Sequence, residues 1–194
     1  MAPSPIYRFG WAFYLLLAIA GLVWIGVRDH GVGLRHFLAP ESWALDLGLG
    51  VGSALALALV WEVAHRLAPA AQRLSRELAA AIGPIPPHEA MALALLSGLG
   101  EELFFRGALQ GSIGLWWATA IFAVLHTGPG RVFRVWTLLA AAAGLGLGAL
   151  VLWREQLLAA IVAHAAFNAV GLLRLSRLAT ELAGESSEPD AAAP

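Results

Sequence analysis

Three short clusters set side chains able to do chemistry within otherwise apolar runs. Glu101-Glu102-Leu103-Phe104-Phe105-Arg106 holds two adjacent carboxylates and a guanidinium. Phe122-Ala123-Val124-Leu125-His126 ends an apolar run on an imidazole. His164-Ala165-Ala166-Phe167-Asn168 sets a second imidazole and the chain's only Asn one helical turn apart. On a helix Glu102 and Arg106 share a face and can pair. Glu101 lies about 100° round from Glu102 and lacks that partner. A carboxylate in a poorly solvated pocket can serve as a general base near neutral pH.

There is no Cys, hence no thiol nucleophile and no disulfide framework, and no Ser-His-Asp series stands out. A carboxylate, two imidazoles and an amide suit water activation followed by attack on a carbonyl. Glu101 would take a proton from water, and His126 would position that water or share the proton. His164 and Asn168 would donate to the tetrahedral oxyanion, while Glu102 and Arg106 orient Glu101. The alternative puts zinc at the centre, with Glu101, His126 and His164 as ligands. Spacing does not decide between the two, and H-E-x-x-H is missing. Each cluster also has a structural reading: an ion pair that fixes packing, an interfacial His before a Gly-Pro-Gly turn, and an interhelical hydrogen bond. Ser97 is the one serine deep beside the first cluster, and a hydrogen bond within its own helix is expected of it.

The elements that must hold these groups are membrane helices. Of 194 residues, 59% are hydrophobic and only 13% charged, with a mean hydropathy of +0.74. A soluble domain carries about 25% charged residues. Lipid is the solvent that such a surface fits. The net charge of −1 gives a nucleic-acid partner no electrostatic support. All the basic residues are Arg, and with abundant Ala, Leu and Gly this composition suggests a bacterial source.

The reading is an all-α polytopic bundle of about six transmembrane helices plus an amphipathic interfacial helix. The expected spans are Phe9–Val27, Leu45–Leu67, one starting near Pro87, Ser112–His126, Val132–Trp153 and Gln156–Leu173. Pro69–Gly83, with Arg73, Arg76 and Glu77 among Leu and Ala, reads as the interfacial helix. Gly83-Pro84-Ile85-Pro86-Pro87 reads as a rigid linker. Residues 1–183 are expected to form one domain, and 184–194 a disordered polar tail. Six spans put both termini on one side. That side collects Arg8, Arg66, Arg73, Arg76, Arg131, Arg134, Arg174 and Arg177, against Arg28, Arg35, Arg106 and Arg154 opposite, so both termini are expected in the cytoplasm. Trp11, Trp43, Trp116, Trp117 and Trp153 fall near span ends, as an aromatic belt requires. Small-residue pairs Gly48/Gly52, Gly107/Gly111 and Gly144/Gly148 mark close helix contacts. Glu62 is expected to pair with Arg66. Solvated or interfacial roles are expected of His30, His36, His65 and His88.

Depth supports reading the clusters together. Glu101 lies roughly 15 Å, and His126 roughly 20 Å, from the turn between the third and fourth spans. His164 lies roughly 13 Å from the next turn on that same side. Groups on three helices thus reach similar depths in a core about 30 Å thick.

The clusters, in this order, resemble the signatures of the CAAX-protease and bacteriocin-processing family, which includes the type II CAAX prenyl endopeptidases. The family pattern is E-E-x-x-x-R, then F-x-x-x-H, then H-x-x-x-N. The resemblance runs from about Glu89 to Leu173 and includes Gly107 after the Arg. It implies an intramembrane endopeptidase, with Glu101 as catalytic acid-base, His126 as its partner, and His164 with Asn168 at the oxyanion. Members have been read both as metalloproteases and as glutamate-dependent proteases, and a lone Glu and His suffice for the second. The partners implied are membrane lipid and a peptide or protein with a hydrophobic or lipidated C-terminal segment. The expected location is the bacterial inner membrane. Two other functions fit the same polar groups: a proton-coupled transporter, and a catalytically silent scaffold or immunity protein.

Overall fold

The computed structural model describes residues 4–29 and 42–185. His30, His36 and the tail beyond Glu185 lie outside the described residues. The described chain is helical, without a strand. Its helices are α1 (Pro5–Arg28), α2 (Trp43–Leu67), α3 (Pro69–Ile82), α4, α5 (Leu115–Leu125), α6 (Phe133–Arg154) and α7 (Leu158–Glu185). α4 begins as Pro87–Glu101, passes into a π-helical stretch over Glu102–Leu109, and closes with one α turn over Gln110–Ile113.

Helices α1, α2, α6 and α7 are long and apolar enough to cross a membrane. Composition explains why α4 differs: it carries the charged cluster in its middle. Large apolar side chains are exposed while several charged ones are buried. Leu16, Leu55, Leu59, Leu138 and Leu152 face outward, whereas Asp46, Glu102 and Arg106 are buried. That inversion suits a lipid surround, in which a charge is stable only against the bundle interior. The five belt tryptophans all point outward.

α7 is the central helix, packing on α2, α3 and α4, while α1 covers α4 and α5 pairs with α6. Glycine permits close crossings. A Cβ at Gly98 of α4 would lie 2.8 Å from the backbone nitrogen and from the Cβ of Ala165 on α7. The expected pairs behave unequally. Gly107/Gly111 and Gly144/Gly148 do meet neighbours, but Gly48 and Gly52 have open space where a side chain would stand. The contact on α2 is made by Gly50, against Ala159 and Val162 of α7. Spacing alone marked the wrong face of α2, because its apolar residues run all round and the sequence shows no stripe.

Three other expectations are revised. The fourth span is shorter than Ser112–His126: Gly114, at φ 84, breaks the chain, and α5 has 11 residues. At 1.5 Å per residue that is about 16 Å, half the apolar core. The last helix continues past Leu173 to Glu185, taking Gly184 and Glu185 out of the expected tail. It continues because α3 covers its far half. Ala71, Leu74, Ser75 and Ala79 of α3 are buried there, and Ser176 of α7 bonds Ile85 through both backbone N–H (3.0 Å) and carbonyl (2.8 Å). Arg73, Arg76 and Glu77 take the outer face of α3.

Polar ties fix the ends. Glu62 pairs with Arg66 as expected, at 2.8 Å, and also with Arg174 at 3.3 Å. At the other end Arg154 of α6 meets Asp46 of α2 at 2.8 Å and Ser42 at 2.6 Å.

Candidate active site

The site begins with a helix that stops inside the bundle. α5 ends at His126, and Gly128-Pro129-Gly130 prevents its continuation. Carbonyls at a helix end need donors, above all where water is scarce. Side chains supply them here. His126 Nδ1 donates to the Phe122 carbonyl at 2.7 Å and Thr127 Oγ1 to Val124 at 2.8 Å. Thr137 Oγ1 of α6 shares its one O–H between the His126 carbonyl at 3.2 Å and the Phe133 carbonyl at 3.1 Å. The His126 ring is thereby held with Nε2 free to face α4.

The ring faces Glu101. Glu101 Oε2 lies 3.8 Å from His126 Nε2 and 3.8 Å from His164 Nε2. This oxygen is buried and has no hydrogen-bond partner. Glu101, His126 and His164, read from three separate clusters, therefore do converge.

Glu102 points elsewhere. Its Oε1 accepts from His164 Nδ1 at 2.7 Å, and its Oε2 lies 3.4 Å from Arg106 Nε. The expected Glu102–Arg106 pair is present, but as a charge contact without hydrogen-bond geometry. Arg106 instead lays its guanidinium over the Phe122 ring, 4.4 Å from the centroid, a cation–π contact strengthened by burial. The sequence reading had no partner for Glu102 on α7. The two residues are 62 apart, and no local spacing rule reaches that far.

Asn168 Nδ2 donates to Ser97 Oγ at 2.9 Å, and Ser97 donates to the Ala94 carbonyl at 3.1 Å. Ser97 thus has its expected helix bond and a second role, orienting Asn168. Two further residues were not singled out from sequence, and a third, Phe122, was named only as the start of its motif. Phe122 accepts from His126, lies under Arg106, and sets its ring edge-on to that of His164, with the centroids 6.3 Å apart. Trp136 flanks His126 at 5.9 Å between ring centroids. Tyr14 of α1 lines the same hollow. For Phe122 the signal was present, as the first residue of its cluster; for the other two none was.

Glu101, His126, His164, Asn168 and Ser97 open onto one cavity of about 760 Å³. Apolar residues such as Phe13, Leu57 and Leu139 line most of it, and it runs out to Glu62, His65 and Arg174. A zinc ion would need its ligands closer. Neighbouring N and O ligands on tetrahedral zinc sit about 3.3 Å apart, against 3.8 Å here. Among the described residues no group of three His, Asp or Glu is placed to hold a metal ion. As placed, these three residues do not form a zinc site.

Comparison with known proteins bears on this stretch of chain. Residues 84–170 match the family described as type II CAAX prenyl endopeptidase Rce1-like. This segment is similar to the Rce1-like family over somewhat less than half of the chain. It contains α4, α5, α6 and the first part of α7, hence all six residues of the three clusters. The chain is also 40% identical over 80 residues to the uncharacterized protein YpbD of Bacillus subtilis (strain 168), which is 40% of this chain and 41% of that relative. The chain thus matches less than half of YpbD. No solved structure matches the chain. The matched segment supplies the acid, both imidazoles and the amide, whereas α1 and α2, outside it, supply cavity wall.

Proposed function

We propose that this chain is an intramembrane endopeptidase that hydrolyses a peptide bond with water activated by Glu101 and His126. The observation that carries the reading is the position of Glu101 Oε2, buried, without a hydrogen bond, and equidistant from two imidazole Nε2 atoms. The Rce1-like match over the same residues supports it.

The roles follow from which ring nitrogens are committed. His126 and His164 both use Nδ1, for the Phe122 carbonyl and the Glu102 carboxylate. Each then has Nε2 for chemistry. A water about 2.8 Å from both Glu101 Oε2 and His126 Nε2 fits their 3.8 Å separation. Its oxygen attacks the scissile carbonyl, and its proton passes to Glu101. The oxyanion accepts from His164 Nε2–H and from the second Asn168 N–H. On collapse, the C–N bond breaks and the proton held by Glu101 goes to the leaving amine.

His164 donates from Nε2 only as an imidazolium, because Nδ1–H is already given to Glu102.

The substrate class we propose is a membrane-embedded peptide or protein segment with a hydrophobic or lipidated C-terminal part, because the cavity is apolar along most of its wall. The membrane is the bacterial inner membrane, with both chain ends in the cytoplasm. The test is cleavage of quenched fluorescent peptides with apolar C-terminal segments by the purified protein in nanodiscs. Activity in the wild type and loss in Glu101→Gln, His126→Ala and His164→Ala supports the reading. Cleavage by all three variants at the wild-type rate refutes it.

A further inference from the structure

Arg28 closes α1 and belongs to none of the three clusters. Its Nε and Nη2 each donate to Asp29, at 2.6 Å to either carboxylate oxygen. That two-point grip fixes the guanidinium plane and turns Nη1 toward α4. Nη1 donates to two carbonyls there, Gly107 at 3.2 Å and Ala108 at 2.9 Å. Gly111 makes the approach feasible, since a Cβ at that position would collide with Nη1.

Both carbonyls belong to the π stretch, Glu102–Leu109. Its bonding is visible at its end, where the Gln110 N–H bonds the Phe105 carbonyl five residues back. A π turn inserts a residue, so the helix beyond it is rotated by about 100° relative to an uninterrupted α-helix. The stretch contains Glu102, which holds His164, and Arg106, which faces Glu102 across 3.4 Å. Its orientation therefore sets where those two charges stand. One end is tied to α7 through Glu102 and His164, and the other to α1 through Arg28.

We propose that Arg28 is a positioning residue: it holds the π stretch of α4, and so fixes Glu102, Arg106 and through them His164. The activity arm of the test rests on the peptidase reading. The structural arm does not.

The variants are Arg28→Ala, Arg28→Lys and Gly111→Ala, made in the full chain in nanodiscs. Gly111→Ala keeps the Arg28 charge and displaces only its guanidinium, so it answers the question even where Arg28→Ala folds poorly. Amide hydrogen exchange over 102–112 is read against α1 and α7, together with kcat and KM on a quenched fluorescent peptide. Arg28→Ala and Gly111→Ala are expected to speed exchange in 102–112 alone. They lower kcat by about 10- to 100-fold with KM within about twofold, as small displacements of reacting groups do. Arg28→Lys keeps the charge but loses the two-point grip, and is expected to fall between Arg28→Ala and wild type in both readouts. Added guanidinium ion partly restores Arg28→Ala but not Gly111→Ala, where the pocket is filled. Unchanged exchange over 102–112 in both variants overturns the proposal, and so does a loss of kcat without any change in that exchange. A wild type that cleaves no peptide sinks the peptidase reading instead, and the exchange data still decide the clamp.

Discussion

The neighbouring carboxylates Glu101 and Glu102 have opposite environments, and this predicts opposite outcomes for one substitution. Glu102 balances Arg106 and holds His164, and is fully buried. Glu102→Ala leaves a buried cation uncompensated, with an expected cost of about 3–5 kcal/mol, read as a lower thermal midpoint in detergent. Glu101 Oε2 has no hydrogen-bond partner to lose. Glu101→Ala is expected to unfold at or above the wild-type temperature while losing about 10²–10⁴-fold in cleavage rate. Equal destabilisation by the two variants would contradict these assignments. The residue types of the site were legible because ionisable groups are rare in this chain, so Glu101, His126 and His164 stood out. The bond from Glu102 to His164 was not legible, since helix spacing offered Arg106 as a complete answer. The aromatic neighbours were hidden for the opposite reason: Trp136 and Tyr14 sit among so many apolar residues that nothing in their spacing marks them.

At the scale of elements, α5 and α4 do the positioning. α5 brings His126 to depth by ending early, and its exposed carbonyls are met by His126, Thr127 and Thr137. Thr137→Val removes the one donor supplied by another helix. It is expected to cost about 1 kcal/mol of stability and to lower kcat more than it raises KM, because the His126 ring loses its fixed seat. A kcat equal to wild type would show that the Thr137 bond does not position His126. The α4–α7 crossing gives a second prediction. Gly98→Leu overpacks a backbone contact and is expected to cost about 3 kcal/mol or more, seen as loss of folded protein in detergent. Gly52→Leu enters open space and is expected to leave the thermal midpoint within about 2 °C. The reverse order would mean that α2 packs on its other face. The apolar and amphipathic patterns found α1, α2, α6 and α3, each near its expected bounds. It could not find the π stretch, which leaves no periodic mark in eight residues, nor Gly114 as a break, since Gly recurs throughout this chain.

At the scale of the whole molecule, large apolar side chains cover much of the outside while Asp46, Glu89, Glu101, Glu102 and Arg106 are buried. That inversion made the helical class legible from composition alone. The convergence of three clusters was legible for a simpler reason, since residues counted from two turns on the same side must share a depth. The length of α7 was not, because what extends it past Leu173 is the cover of α3, a tertiary fact. The cavity belongs to this scale too. It joins the site to a rim at Glu62, His65 and Arg174, and its wall is shared by α1, α2, α6 and α7. A reaction carried by Glu101 and His126 needs no metal, so extensive dialysis against a chelator is expected to leave the cleavage rate unchanged, with metal content by mass spectrometry well below one ion per chain. Loss of activity restored by zinc would instead assign Glu101, His126 and His164 as ligands in a tighter arrangement.

The most direct test of the central claim is the cleavage rate of Glu101→Gln in nanodiscs, measured beside wild type on one membrane peptide and normalised to folded protein. The substitution keeps the side chain's shape and removes the base. The account predicts a fully folded variant at least about 10²-fold slower than wild type. A folded Glu101→Gln protein that cleaves as fast as wild type would contradict it.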